Sequence, residues 1–282
     1  MLVGVAGAGL IGSGLAHCLS EAGFEVVLAD RNDDILEKAR HAITSSVNLR
    51  KILQKSQIRA EDVLEQIVFS ADLQDMSECE FMIEAITEDE PLKLDIWTRL
   101  GAICQDTAIL ASATSAIPIT RLASKVPHPE RFLGIHFMNP VPLKDTVEMI
   151  RGVHTSDETI EKARDLLEQI GKKAILVNDS PGFVSNRVLM LTVNEAILLV
   201  QDRVAEPKDI DRLFKDCFGH KMGPLETADM IGLDTIMQSL QVLQDSFGED
   251  KYRPCPLLRQ MVDAGYLGRK SGKGFFEYGK LK

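Results

Sequence analysis

Leu2-Val3-Gly4-Val5-Ala6-Gly7-Ala8-Gly9-Leu10-Ile11-Gly12 opens the chain, and Glu25-Val26-Val27-Leu28-Ala29-Asp30 follows one helix length later. The first apolar run ends at Gly7, apolar residues then recur at helical spacing over 10 to 22, and Gly23 stops them before the second run. This is a strand, helix, strand opening, the first half of a doubly wound parallel sheet. Gly7-Ala8-Gly9-Leu10-Ile11-Gly12 fits G-x-G-x-x-G at the turn from strand to helix. In that setting Gly7 allows the tight turn, Gly9 admits the backbone to a pyrophosphate, and Gly12 lets helix and strand pack closely. The phosphates then meet the helix start at Leu10 and Ile11. Asp30 stands eighteen residues after Gly12, where a carboxylate accepts from the adenosine ribose and repels a 2′-phosphate. NAD is therefore expected rather than NADP, with Arg31 the neighbouring cation that works against the discrimination.

Working outward, residues from Asp33 to about Gln66 are charged with spaced aliphatics (Ile35, Ile43, Val47, Ile52, Leu53), which predicts one or two amphipathic helices inserted after the second strand. Further strands are expected over 67 to 69, 81 to 86, 108 to 111, 131 to 136, 147 to 150 and 174 to 177, with a helix over 157 to 170 ended by Gly171. After Asn178-Asp179-Ser180-Pro181-Gly182 strand patterns vanish. Residues 183 to 201 read as an almost uniformly apolar helix, buried on most sides, and helices are expected near 207 to 217, 224 to 246 and 255 to 264. The fold class is α/β: a Rossmann-type doubly wound sheet over 1-180, with a helical insertion near 33-66, followed by an all-α C-terminal domain over 181-282. A small helical domain with so apolar a main helix covers itself by pairing, so this one is expected to bind substrate and form a homodimer.

The bulk properties exclude several classes. The chain has 282 residues, 45% hydrophobic and 26% charged, long enough for two ordinary cores. No apolar run approaches the roughly 20 residues of a membrane helix, and the first strand leads straight into the glycine motif, so neither a membrane span nor a leader is expected. Five widely spaced cysteines (Cys18, Cys79, Cys104, Cys217, Cys255) suggest reduced thiols in the cytoplasm, with no disulfide or metal role. A net charge of −10 opposes a general nucleic-acid or anionic-membrane surface.

His136 ends an apolar strand, and Glu148 stands twelve residues later across the proline-rich stretch Phe137-Met138-Asn139-Pro140-Val141-Pro142-Leu143-Lys144-Asp145-Thr146-Val147. Open α/β sheets put their chemistry at that carboxyl edge. A hairpin-like connection could bring the two face to face, the carboxylate orienting the ring and stabilising the imidazolium. An imidazole so steadied suits an alcohol oxidation, where a base takes the hydroxyl proton as hydride leaves.

Several segments, in this order and spacing, resemble the 3-hydroxyacyl-CoA dehydrogenase family over essentially the whole chain. They are Gly7 to Gly12, Glu84-Ala85-Ile86 to Lys93, Thr114-Ser115, His136 to Glu148, Asp179 to Arg187, Met222-Gly223-Pro224-Leu225 and Gly268 to Phe275. The resemblance implies an NAD-dependent dehydrogenase of 3-hydroxyacyl thioesters, with His136 as general base and Glu148 as its partner. It further implies Ser115 and Asn186 as donors to the substrate oxygens, and Glu88, Lys93, Ser115 and Asn139 along the cofactor. One position departs: the family usually carries Asn before Thr-Ser, and here Ala113 stands there.

Acyl size is read from Lys144-Asp145-Thr146, polar where β-oxidation members more often carry apolar residues, which favours a short or polar acyl group. The stretch Cys217 to Asp229 resembles a branch found beside polyketide synthases, whose members oxidise glyceryl on an acyl carrier protein. Lys251-Tyr252-Arg253-Pro254 and Pro256-Leu257-Leu258 are shared with short-chain 3-hydroxybutyryl-CoA dehydrogenases. The expected substrate is glyceryl-acyl carrier protein; the alternative is 3-hydroxybutyryl-CoA. A free hydroxy-acid dehydrogenase and a non-catalytic NAD-binding protein stand behind both. Arg50, Lys51, Lys55 and Arg59 would meet the carrier's acidic helix in the first reading and the CoA 3′-phosphate in the second.

Overall fold

The computed structural model describes residues 1–54 and 57–279. The chain divides into two compact units, Met1–Ser180 and Pro181–Lys282. In the first, the elements run β1 (Leu2–Ala6), α1 (Leu10–Glu21), β2 (Glu25–Ala29), α2 (Asp33–Gln54), α3 (Ala60–Glu65), β3 (Ile67–Ser70), β4 (Phe81–Glu84), α4 (Glu90–Ile103), β5 (Ile109–Ser112), α5 (Ile119–Ala123), β6 (Phe132–His136), β7 (Thr146–Arg151), α6 (Asp157–Gln169) and β8 (Lys173–Asn178). The strands form one sheet in the order β3-β2-β1-β4-β5-β6-β7-β8, the doubly wound order with its reversal beside β1. Neighbours are parallel except β6 and β7, which run antiparallel.

Local chemistry explains the helices. α6 starts on Ser156, whose hydroxyl accepts from Thr159 N at 3.2 Å, with Asp157 and Glu158 in the first turn to meet its dipole. Its stripe of Ile160, Ala163, Leu166 and Leu167 is buried, the three larger side chains each contributing roughly 1.5–3 kcal/mol. α2 packs through Leu36, Ala39, Ile43 and Val47, at helical spacing. Its last turns behave differently: Leu49, Ile52 and Leu53 are exposed, so the spaced aliphatics marked a core face only in the first half.

The second unit is helical: α7 (Ser185–Gln201), α8 (Pro207–Phe218), α9 (Pro224–Ile231), α10 (Leu233–Phe247) and α11 (Pro256–Asp263). Two expectations are corrected. The segment 224 to 246 is two helices, because Gly232 between them adopts φ +107°, which L side chains rarely adopt. α7 is only half buried: Met190, Val193, Asn194, Ala196 and Ile197 are covered, whereas Val188 is 63% exposed. An apolar composition all round thus does not give burial all round within one chain.

Candidate active site

The glycine turn forms the floor of a cavity of about 550 Å³ lined by Ala6, Gly7, Gly9, Ala29, Asp30, Arg31, Ala85, Ile86 and Thr87, with Leu92, Asp95, Ile96 and Arg99 of α4. Each glycine has a separate reason. Gly7 has φ +105°, and a Cβ there would stand 2.7 Å from the Ala85 backbone. A Cβ on Gly12 would lie 1.7 Å from Gly7 O, so Gly12 serves helix-to-turn packing and does not line the cavity. A Cβ on Gly9 would meet nothing within 4 Å and would project into space a ligand can fill. Asp30 Oδ2 accepts from Ala8 N at 2.7 Å and Oδ1 from Arg31 N at 2.7 Å, which fixes the carboxylate at the cavity wall. An open glycine at a helix start, and a fixed carboxylate at the end of β2, fit a dinucleotide with a free 2′-hydroxyl. Leu10 is 70% exposed and Ile11 packs against the core, so these two offer backbone rather than side chains.

At the other end of the same edge, the antiparallel register pairs His136 of β6 with Glu148 of β7. Both are buried (6% and 7% exposed), and Nδ1 of the ring lies 2.9 Å from Glu148 Oε2. An ionised carboxylate can only accept, so Nδ1 donates to it, and a neutral ring held this way could take a proton at Nε2, as a general base must. The connection between the strands is held by Lys172, a residue with no signal in the sequence beyond its place after Gly171. Its buried ammonium donates to Val141 O at 2.7 Å and Lys144 O at 2.8 Å.

Glu88 and Lys93 do not line the cavity. Glu88 Oε1 accepts from Ser115 N and Ala116 N, each at 3.0 Å, and from Thr114 Oγ1. Glu88 thus clamps the loop that carries Ser115. Lys93 is buried against Glu84, whose carboxylate also takes Ser112 Oγ at 2.6 Å and Ile86 N at 2.8 Å. Glu84 received no role from the sequence, although a carboxylate closing the apolar run Phe81-Met82-Ile83 was the available signal. Ala113 donates its N–H to Glu84 O at 2.7 Å, and its methyl packs against the sheet core. Ser115 is half buried, and Asn139 is exposed in the connection after β6. Asn186 is half buried in the first turn of α7, within the second unit.

The basic cluster is altered most. Arg50 is paired with Glu21, and Arg59 with Asp62, so two of its four charges are met inside the chain. Lys51 is exposed, and Lys55 lies outside the described residues. Among the described residues no group of three or more His, Cys, Asp or Glu could hold a metal ion, and no helix is long and apolar enough to cross a membrane.

Residues 2–180 match the family model described as 3-hydroxyacyl-CoA dehydrogenase, NAD binding domain, and residues 182–278 the one described as its C-terminal domain. The chain belongs to the 3-hydroxyacyl-CoA dehydrogenase family. It is an NAD-dependent oxidoreductase acting on a CH–OH group. It is 48% identical over 280 residues to a probable 3-hydroxybutyryl-CoA dehydrogenase of Deinococcus radiodurans, covering 99% of this chain and 100% of that one. It is 44% identical over 279 residues to a 3-hydroxybutyryl-CoA dehydrogenase of Bradyrhizobium diazoefficiens, covering 98% and 94%. Among solved structures, the (S)-3-hydroxybutyryl-CoA dehydrogenase of Ralstonia eutropha superposes with a TM-score of 0.91 at 41% identity, covering 99% of both chains.

Proposed function

We propose that this dehydrogenase oxidises the 3-hydroxyl of a short 3-hydroxyacyl-CoA, 3-hydroxybutyryl-CoA, to the 3-oxo thioester. The observation that carries the chemistry is the buried His136–Glu148 pair at 2.9 Å. Nε2 of His136 takes the hydroxyl proton as the hydride leaves C3 for NAD, and Glu148 stabilises the imidazolium that results. Ser115, beside the base on the same sheet edge, donates to the hydroxyl or thioester oxygen, and the reverse reduction uses the same groups.

Two considerations favour CoA over carrier-bound glyceryl. The Deinococcus and Bradyrhizobium relatives, similar over almost the whole chain, are named for the CoA substrate, whereas the carrier reading rests on the stretch Cys217 to Asp229 and the polar Lys144-Asp145-Thr146. A carrier helix needs several unpaired cations, and Arg50 and Arg59 are already met by Glu21 and Asp62. Exposed Lys51 beside Ile52 and Leu53 suits a phosphate next to an apolar base. The test is NADH formation from 3-hydroxybutyryl-CoA set beside glyceryl loaded on a carrier protein; turnover of the carrier substrate alone would reverse the choice.

Exposed Val188, Leu213 and Phe218 on the second unit favour self-association through it, and light scattering of the intact protein would give the mass of a dimer.

A further inference from the structure

Glu84 closes β4 with a wholly buried carboxylate (0% exposed), and Lys93 of α4 is buried against it (1% exposed). Charges are costly to bury, and they persist only when paired and fully hydrogen-bonded. Here they are. Glu84 Oε1 accepts from Lys93 Nζ and Ile86 N, and Oε2 accepts from Ser112 Oγ. Lys93 Nζ donates on to Ile86 O at 3.2 Å and stands 3.7 Å from Glu88 Oε2. The remaining oxygen of Glu88 holds the Thr114 hydroxyl and the Ser115 and Ala116 N–H groups. With both carboxylates ionised and Lys93 an ammonium, the cluster carries one net negative charge, held among the donors just named.

Glu84 and Ser112 are register partners at the carboxyl ends of β4 and β5. The glycine turn at Gly7 and Gly9 follows β1, whose last residue Ala6 is the register partner of Glu84, and His136 ends β6, the next strand after β5. A cofactor held at Gly9 and passing hydride near His136 would have to cross the carboxyl ends of β4 and β5, where Glu84 and Ser112 stand. The cofactor's nicotinamide ring is cationic when oxidised and neutral when reduced.

We propose that the Glu84–Lys93–Glu88 cluster selects the oxidation state of the cofactor, its net negative charge favouring binding of NAD+ over NADH, with Glu84 the positioning residue that sets this charge. A brace with no electrostatic part would affect both forms alike. The inference rests on NAD binding at the glycine turn, not on the choice of acyl substrate.

The test compares dissociation constants of NAD+ and NADH by calorimetry, without turnover. In Glu84→Gln, which removes one negative charge at constant shape, the ratio Kd(NAD+)/Kd(NADH) is expected to rise about fivefold. In Glu84→Gln/Lys93→Met, where Glu88 alone restores one net negative charge, the ratio is expected to return to about the wild-type value. Glu88→Gln removes the same charge from a partly exposed position, and its ratio decides the matter if Glu84→Gln does not fold. Equal weakening of both nucleotides in the single variants, or a double variant that stays shifted, would overturn the proposal.

Discussion

Replacing Glu148 by Gln keeps the size of the side chain and removes its charge from a site where both partners are almost fully covered. Two effects add. A hydrogen bond to a charged group contributes roughly 1.5–3 kcal/mol against roughly 1 kcal/mol for a neutral one. The imidazolium that forms during oxidation also loses an anion, and unit charges about 4 Å apart at an effective dielectric near 20 attract by about 4 kcal/mol, an upper limit here. The amide can also turn its NH2 toward Nδ1, which would leave the hydrogen on Nε2 and abolish the base. A loss of about 2–4 kcal/mol in the transition state corresponds to roughly 30- to 1,000-fold in kcat. The assay is NADH formation at saturating NAD and thioester, with the thermal midpoint and the Kd for NAD as controls. A kcat within about threefold of wild type, at unchanged midpoint, would refute the reasoning, because the lost interaction is worth at least about thirtyfold.

Three further outcomes are expected. Gly12→Ala forces a methyl to 1.7 Å from Gly7 O and lowers the thermal midpoint, whereas Gly9→Ala leaves the midpoint unchanged and weakens NAD binding about tenfold or more; equal behaviour of the two would contradict their separate roles. Ala113→Asn restores the amide the family usually carries before Thr-Ser and raises kcat, and an unchanged or lower rate counts against that amide as an active-site contact. Burial holds the Asp211 carboxyl above its ordinary value, outweighing the Leu225 and Glu226 N–H groups that it accepts. A group whose pKa is raised on folding contributes stability that is full below its unfolded value and is lost as pH rises through the folded value. Urea midpoints of wild type relative to Asp211→Asn should therefore fall as pH rises out of the usual carboxylate range, and a rising difference would show the opposite sign.

β1 and β2 were legible because both are apolar runs buried almost throughout and set off by Gly7 and Gly23, so they announce themselves without any partner in view. The register that joins His136 to Glu148 follows from the same pattern: two apolar runs joined by a proline-rich connection. What escaped was everything decided by side-chain partners far apart in the chain. Lys172 holds residues about thirty positions earlier, Glu84 reaches Ser112 of the adjacent strand, and Arg50 looked like an available cation until Glu21 was found beside it. Spacing shows periodicity, but it does not show which charge is already met. The break at Gly232 was missed for a simpler reason, since a single glycine inside a helical pattern is ordinarily tolerated.

The base assignment is tested most directly by one comparison: NADH formed from 3-hydroxybutyryl-CoA by wild type and by His136→Ala, with the Kd for NAD measured on both. The expected result is turnover by wild type, a loss of about a hundredfold or more in the variant, and an unchanged Kd for NAD. Turnover by His136→Ala at the wild-type rate, with NAD bound normally, would contradict it.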